Sequence, residues 1–569
     1  MNETSQNPAT VQAETIVDEL VRCGVVEAVL SPGSWSTPLA LAFARRKDIR
    51  LHVRIDERSA AFVALGLTKI SGRPVPVVCT SGSAVANFHP AVMEADAAHL
   101  PLVVLTADRP PEMRYTGSSQ TTDQIKIFGT SVRMFAELGV AEARAGSNAY
   151  WRSLIARLIG TALDSSHGGP VHVNVCFRKP FFELSPGNDW PESTVGRVDG
   201  APWVKIASHS SPAVDIAAPA KGLLVLGEGA PDPVAALLFA EHAGWPVIAE
   251  PNSAGGSHWN GRTGAHALSA GGALASVPEF RASHQPDMVI TVGKPTLNPA
   301  LTAWCATAPA HVVVDPRGQW ADPGRGASKV IPALGMPLEA RPDGQWLESW
   351  LRCDRAARAA IDDAVNGDVL NEPLLARELL EAMPTDSLLF VGSSMPIRDV
   401  NLMMRPRSGV RICTNRGVSG IDGVVSSAVG AALAHQRAGG GQAYALLGDL
   451  TLLHDHNGLL IGPDEPRPDL TFIVPNNDGG AIFSTLPVSQ VDAFERVWGT
   501  PHRVDLAHMA AALSVPYQQL GSVAELKELI SSGESGIRLA EVRTHRATNA
   551  ELHEKLATVA RRAVLSVLH

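Results

Sequence analysis

The sequence predicts an α/β protein made of three doubly wound parallel-sheet domains. Short apolar runs recur along the chain, each ended by Gly, Ser, Asp or Asn and followed by a helical stretch. Such alternation marks parallel strands joined by crossover helices, with polar chemistry gathered at the strand C-termini. A length of 569 residues suits roughly three to four domains of ordinary size. The expected divisions are 1–190, 205–350 and 366–569.

In the first of these, Thr10 is expected to cap a helix that carries Val17, Leu20 and Val21 on one face and stops at Gly24. A strand at Val25–Leu30 leads into Ser31-Pro32-Gly33-Ser34, and a helix follows from about Ser36 with Pro38 in its first turn. Strand Leu51–Ile55 runs into Asp56-Glu57-Arg58 and an apolar helix at Ala60–Leu67. Strand Val75–Cys79 ends in Thr80-Ser81-Gly82-Ser83, with a helix over Ala84–Ala97. Strand Leu102–Thr106 ends in Ala107-Asp108-Arg109-Pro110.

The stretch Ser185–Pro219, rich in Pro, Gly, Ser and Asp, reads as a linker. Strands follow near Leu223–Leu226, Val247–Ala249, Met288–Val292 and His311–Val314. The lone Gly227-Glu228-Gly229 is a tight strand-to-helix turn, and no cofactor is assigned there. A helical, charged segment at Trp346–Val365 leads to strands near Leu388–Val391, Val410–Thr414, Tyr444–Leu447, Leu470–Val474 and Ile537–Val542. A glycine-rich helix spans Gly423–Ala438.

Hydrophobic residues make up 45%, enough for several cores, and the net charge of −9 argues against a general nucleic-acid or membrane-surface binder. The six cysteines, Cys23, Cys79, Cys176, Cys305, Cys353 and Cys413, form no C-x-x-C pair and no Cys/His cluster. They read as reduced core residues. The start, MNETSQNPAT, lacks the parts of a signal peptide, and no apolar run nears the ~20 residues of a membrane span. A soluble, cytoplasmic protein is expected.

The chemistry gathers in Gly448–Gly480. One apolar run ends at Gly448-Asp449, and the next ends at Asn476-Asn477-Asp478-Gly479-Gly480. Asp449 offers an anionic oxygen and Asn477 an amide oxygen, while the Gly479 carbonyl can approach closely. Three oxygens leave an octahedral ion room for phosphate oxygens and water, which suits Mg²⁺. His454, Asp455 and His456 lie nearby and are expected to be solvent or capping residues.

This motif, with three α/β units around it, resembles the metal-diphosphate signature of thiamine diphosphate-dependent decarboxylases and synthases. The finer match is to the family of 2-succinyl-5-enolpyruvyl-6-hydroxy-3-cyclohexene-1-carboxylate synthases of menaquinone biosynthesis. It is carried by Ser31–Ser34, Ile55–Arg58, Thr80–Ala84, Ala107–Pro110, Gly117–Gln120, Gly392-Ser393-Ser394 with Arg398, and Asn415–Gly423. The middle unit matches weakly.

The resemblance implies a transferase that uses thiamine diphosphate and Mg²⁺ (or Mn²⁺) to decarboxylate 2-oxoglutarate and add the succinyl unit to isochorismate. It implies Glu57 as the catalytic carboxylate that activates the cofactor's aminopyrimidine. Cofactor contacts are implied at Ser81, Gly82, Ile421, Gly448, Asp449, Leu450, Asn477, Gly479, Ile482 and Phe483, with the metal on Asp449, Asn477 and Gly479. Substrate contacts are implied at Ser34, Arg109, Gln120, Ser394, Arg398 and Arg416. Several guanidinium groups suit substrates that bring several carboxylates. A homodimer or homotetramer with active sites between chains is also implied.

Trp35 departs from the family pattern, which places an arginine after Ser34, and Asn298-Pro299 follows Lys294 where basic residues are common. If that arginine binds substrate, Trp35→Arg should improve turnover of the natural pair, with Trp35 stacking on isochorismate as partial compensation. Two rival readings remain: another thiamine diphosphate enzyme, such as an acetolactate synthase or 2-oxoacid decarboxylase, or a non-catalytic regulator that keeps the fold. Arg398 and Arg416 oppose the first, since a pyruvate enzyme has no distal carboxylate for them. The presence of Glu57, Asp449 and Asn477 opposes the second.

Overall fold

The structure, a computed structural model, describes residues 7–182, 190–207, 211–253 and 266–568. The chain forms two compact units. The first is Met1–His209 with Gly417–Arg437 and Asp455–Arg467, and the second is Ser210–Arg416 with Ala438–His454 and Pro468–His569.

The first unit holds a six-stranded sheet of β1 (Glu27–Leu30), β2 (Arg50–Val53), β3 (Val75–Cys79), β4 (Leu102–Asp108), β5 (Met134–Leu138) and β6 (Val171–Cys176). Its order is β2-β1-β3-β4-β6-β5, all parallel. The order reverses at β1 and β3, so the loops after those strands flank the switch point where α/β sheets gather ligands. Strands β3, β4 and β6 are buried throughout, as parallel strands covered on both faces must be.

Local chemistry corrects several expected element ends. The first helix is Pro8–Arg22, capped by Asn7, whose side chain accepts the Ala9 N–H at 2.9 Å. Pro8 is preset for a first helical position, so the helix starts ahead of Thr10, whose hydroxyl instead donates to the Phe181 carbonyl at 3.2 Å. The helix expected over 84–97 is two, Ser83–Asn87 and His89–Ala97. Pro90 has no N–H to continue the first of them. The helix after β2 begins at Glu57 and runs to Ser71, because Asp56 accepts the N–H groups of Arg58 and Ser59 at 2.8 and 3.2 Å.

Glu57–Ser71 packs directly on the helix Val424–Arg437 of the same unit. A β-carbon at Gly66 would overlap the Ser427 carbonyl oxygen, and one at Gly430 would overlap that of Val63. Reciprocal glycines let the two backbones touch.

The second unit opens with β7 (Val214–Ala217), β8 (Gly222–Leu226), β9 (Val247–Ala249), β10 (Met288–Val292), β11 (Ala310–Val314), β12 (Lys329–Ile331) and β13 (Leu334–Leu338). They form a parallel sheet in the order β12-β11-β10-β8-β9, and a β13-β7 pair. β7 lies in the stretch expected to be linker, of which 185–189 and 208–210 fall outside the described residues. Only Ile216 of β7 is buried, and its partner β13 is far along the chain, so local composition does not betray it.

A six-stranded sheet follows: β14 (Ser387–Val391), β15 (Val410–Thr414), β16 (Ala443–Leu446), β17 (Leu470–Asn476), β18 (Tyr517–Leu520) and β19 (Ile537–Arg543). Its order, β15-β14-β16-β17-β19-β18, repeats that of the first sheet. The three larger sheets, with their interleaved helices, are the doubly wound α/β architecture that the sequence predicts.

All six cysteines are free thiols, five of them buried. Burial pushes Cys305 up to about 12 and Cys79 well above its usual value, the latter with help from the Glu57 charge. Among the described residues, no helix is long and apolar enough to cross a membrane.

The glycine contact makes a direct prediction. Gly66→Ala forces the Glu57–Ser71 helix away from its neighbour, an overpacking that costs about 1–3 kcal/mol. The first thermal unfolding transition should fall by at least about 2–4 °C, as expected for a domain of this size. An unchanged midpoint would mean that the helices do not meet there.

Candidate active site

In the second unit, Asp449 is the first residue of the helix Asp449–His454 and follows β16. Asp449 is 1% exposed. Oδ2 accepts the backbone N–H groups of Asn477 at 3.1 Å and Gly479 at 3.0 Å, and lies 3.3 Å from His502 Nε2. Oδ1 accepts the Leu450 N–H at 2.6 Å. Burial raises its pKa, against the backbone N–H bonds and the His502 charge. Gly448 and Leu450, on either side, are half-buried.

Asn477 directly follows β17, and its amide orientation is fixed from behind. Nδ2 donates to Glu372 Oε1 at 2.9 Å, which leaves Oδ1 buried with no hydrogen-bond partner among the described residues. Glu372 also accepts from Thr544 at 2.9 Å and Asn549 at 3.0 Å. Burial, aided by the Asp399 charge, pushes it up to about 7. Gly479 has φ +142°, and a β-carbon there would overlap the Gly499 carbonyl oxygen and Arg546 Nη1. Only glycine fits.

The structure therefore brings Asp449, Asn477 and Gly479 together. An unpaired buried amide oxygen beside a buried carboxylate is a donor set that a small hard cation would complete. Ile482 and Phe483, on the helix Ala481–Ser484, are half-buried rather than core. Phe483 lies against Gly480.

Ser394 precedes the helix Met395–Met403 with φ +74°. Its carbonyl accepts Arg398 Nη1 at 2.6 Å. Burial lowers the pKa of Arg398, and the Arg416 charge lowers it further. Arg416 is buried and reaches the Thr296 hydroxyl and carbonyl, both at 3.3 Å. The Arg416 charge is also felt by the buried Glu250 carboxyl, whose pKa it lowers against burial.

In the first unit, Glu57 sits half-buried at the start of its helix, where the dipole favours a carboxylate, and near Cys79 at the end of β3. Ser81 donates to the Gln120 carbonyl at 2.8 Å, and the Gly82 N–H goes to Gln124 Oε1 at 3.1 Å. Arg109 Nη2 donates to the Ser119 carbonyl at 2.7 Å. The loops after β3 and β4 are thus tied to one another through 119–124. Ser34 and Gln120 are exposed, and Ile421 is half-buried.

Glu372 behind Asn477, His502 beside Asp449, and Gln124 beneath Gly82 were not singled out from the sequence. Each is distant in sequence from the residue it serves, and only the proximity of Glu372 to Asn371-Pro373, a helix start, marks it at all.

Asp455, expected to be a solvent or capping residue, does cap but is fully buried. It accepts Ser426 N–H at 2.7 Å and Ser426 Oγ at 3.1 Å, with Arg58 at 3.8 Å. Burial pushes it up from 3.8 to about 6. Because the folded pKa exceeds the unfolded one, the folded state binds this proton more tightly. Its stabilisation is complete below about pH 4 and is lost as pH rises to about 6. Denaturant unfolding should show Asp455→Asn gaining on the parent by up to ~3 kcal/mol between pH 4 and 7. A difference independent of pH would contradict the shift.

Residues 11–127 match the family model described as thiamine pyrophosphate enzyme, N-terminal TPP binding domain. Three curated relatives carry the name 2-succinyl-5-enolpyruvyl-6-hydroxy-3-cyclohexene-1-carboxylate synthase. That of Thermobifida fusca (strain YX) is 51% identical over 562 residues, covering 98% of this chain and 100% of the relative. That of Saccharopolyspora erythraea is 44% identical over 569 residues, with the same coverage. That of Rhodococcus opacus (strain B4) is 40% identical over 571 residues, covering 96% and 98%.

Proposed function

The chain belongs to the 2-succinyl-5-enolpyruvyl-6-hydroxy-3-cyclohexene-1-carboxylate synthase family, and on that premise we propose that it is a thiamine diphosphate- and Mg²⁺-dependent transferase. It decarboxylates 2-oxoglutarate and joins the succinyl unit to isochorismate by 1,4-addition. The observation that carries this reading is the buried, partnerless Asn477 Oδ1 beside the Asp449 carboxylate. A divalent cation with diphosphate oxygens completes such a pair.

When bound, thiamine diphosphate supplies the nucleophilic carbon and the electron sink for decarboxylation. This chain's residues do the rest. Asp449, Asn477 and the Gly479 carbonyl hold the cation, and Gly448 and Leu450 shape the diphosphate site. Ser81 and Gly82 line the aminopyrimidine, and the Glu57 carboxylate holds a proton at its ring nitrogen. Ile421, Ile482 and Phe483 exclude water, which strengthens every charge interaction inside. Arg109, Arg398 and Arg416 bind substrate carboxylates, with Ser34, Gln120 and Ser394 as polar contacts. The repulsion between Arg398 and Arg416 favours a dicarboxylate over pyruvate, and so this synthase over an acetolactate-type enzyme. The reading puts the protein in the cytoplasm as a homodimer or homotetramer, with active sites shared between copies.

The direct assay is product formation from 2-oxoglutarate and isochorismate, with and without thiamine diphosphate and Mg²⁺. Condensation of pyruvate alone, with no reaction of this pair, would overturn the assignment.

Two variants test the roles. Glu57→Gln should fold and bind cofactor but lose at least ~10²-fold in turnover, the usual cost of a lost proton partner; retention of half the activity sinks its role. Asp449→Ala should lose cofactor binding by calorimetry even at high Mg²⁺, because the diphosphate charge would be left unneutralised. Unchanged affinity would move the metal elsewhere. Co-expressing the two inactive chains should restore some activity through mixed oligomers, and mixed oligomers that stay dead would refute shared sites.

A further inference from the structure

Trp35 stands where the resemblance implies an arginine, and the structure shows what the indole does. It is 7% exposed, so it is a core residue rather than a group displayed to a ligand. Its N–H donates to the Phe177 carbonyl at 3.3 Å, and its ring meets Phe181 edge-on, 4.9 Å between centroids at 77°. The guanidinium of Arg109 lies over the ring, 3.4 Å from its centroid. At that separation the π face holds the cation flat and leaves its N–H edges free to point sideways.

Arg109 is unfinished. It is 5% exposed, and Nη2 is spent on the Ser119 carbonyl at 2.7 Å. Nε and Nη1 are buried without a hydrogen-bond partner among the described residues. The neighbouring Asp108 does not complete it. Asp108 Oδ1 accepts the Arg109 backbone N–H at 2.7 Å, and Oδ2 is held by Arg114 at 2.8 Å and Asn174 at 2.9 Å. Two unmet donors on a desolvated cation are costly until an anion fills them.

We infer that Trp35 is a positioning residue for substrate recognition, stacking beneath Arg109 so that its unpaired N–H groups meet a substrate carboxylate. The inference rests on the reading of Arg109 as a substrate group and adds a residue to it. It also reverses the expectation drawn from the sequence. An arginine at position 35 would lose the Phe177 bond and set a second guanidinium against Arg109, so Trp35→Arg should weaken substrate binding.

The test uses the full-length enzyme with thiamine diphosphate and Mg²⁺, and steady-state kinetics varying each substrate in turn. Trp35→Leu should raise one substrate's KM about ten-fold, the size of a desolvated cation–π contact, with kcat and cofactor affinity little changed. Trp35→Phe, which keeps an aromatic face, should recover most of that loss. Arg109→Ala should raise the same KM, and adding Trp35→Leu to it should do nothing more. Fluorination of Trp35 alone, by site-specific incorporation, withdraws π density without changing packing and should raise that KM stepwise. This arm decides if the leucine variant does not fold. A KM indifferent to fluorination, or a folded Trp35→Leu that matches the parent while Arg109→Ala does not, overturns the positioning role and leaves Arg109 in place. If Arg109→Ala alters neither KM, the reading of Arg109 itself fails.

Discussion

The second unit turns on one buried carboxylate. Parallel strands β16 and β17 are neighbours, β17 runs on to Asn476 past the end of β16 at Leu446, and the chain leaving β17 must satisfy its N–H groups without a further strand to pair with. Asp449 does so by accepting from Asn477 and Gly479 together. The cost is a charge taken out of water, and burial prevails over those bonds in setting its pKa. Behind Asn477 stands a second buried acid, Glu372. Desolvated acids of this kind are stable partners for positive charge. One arrangement thus closes the strand ends and aims an amide oxygen.

The arginines removed from solvent obey the same physics with the opposite sign. Arg109 is buried and Arg398 half-buried, and among the described residues neither is matched to a carboxylate in the way that Arg152 is paired with Asp18 and Glu19 at 2.8 and 3.0 Å. Arg152 makes a finished structural network. Arg109 and Arg398 spend bonds on the carbonyl oxygens of Ser119 and Ser394, which orient a guanidinium without neutralising it.

What the sequence discloses follows from how locally each feature is encoded. Val75–Cys79, Val247–Ala249, Met288–Val292 and Val410–Thr414 stand where the apolar runs place them; the first and third are inner strands, which must be largely apolar because both faces are covered. β6 is just as buried, yet His172 and Asn174 interrupt its run. Thr106 of β4 bonds both, at 2.7 and 2.8 Å, a pairing no local pattern announces. Edge strands β5 and β18 are partly exposed and carry polar residues. The Asp449–Asn477 spacing is legible since both lie at strand ends of one sheet. The burial of Asp455 is not, because an acidic residue in sequence looks like surface whatever encloses it. Trp35 shows the same limit: the substitution is visible in the sequence, but its stacking partner, Arg109, is not.

The paired glycines of Glu57–Ser71 and Val424–Arg437 also bear on the order in which the protein can be made. The first unit draws its sheet from the opening 209 residues but needs Gly417–Arg437 and Asp455–Arg467 to be whole. A ribosome adding 5–20 residues per second takes roughly a quarter of a minute to a minute to supply them. Throughout that interval the glycine face of Glu57–Ser71, with Val63 beside it, lacks the backbone it was shaped to touch. The nascent first sheet is therefore an apolar surface awaiting its own chain, and it invites chaperone binding until about residue 467 emerges.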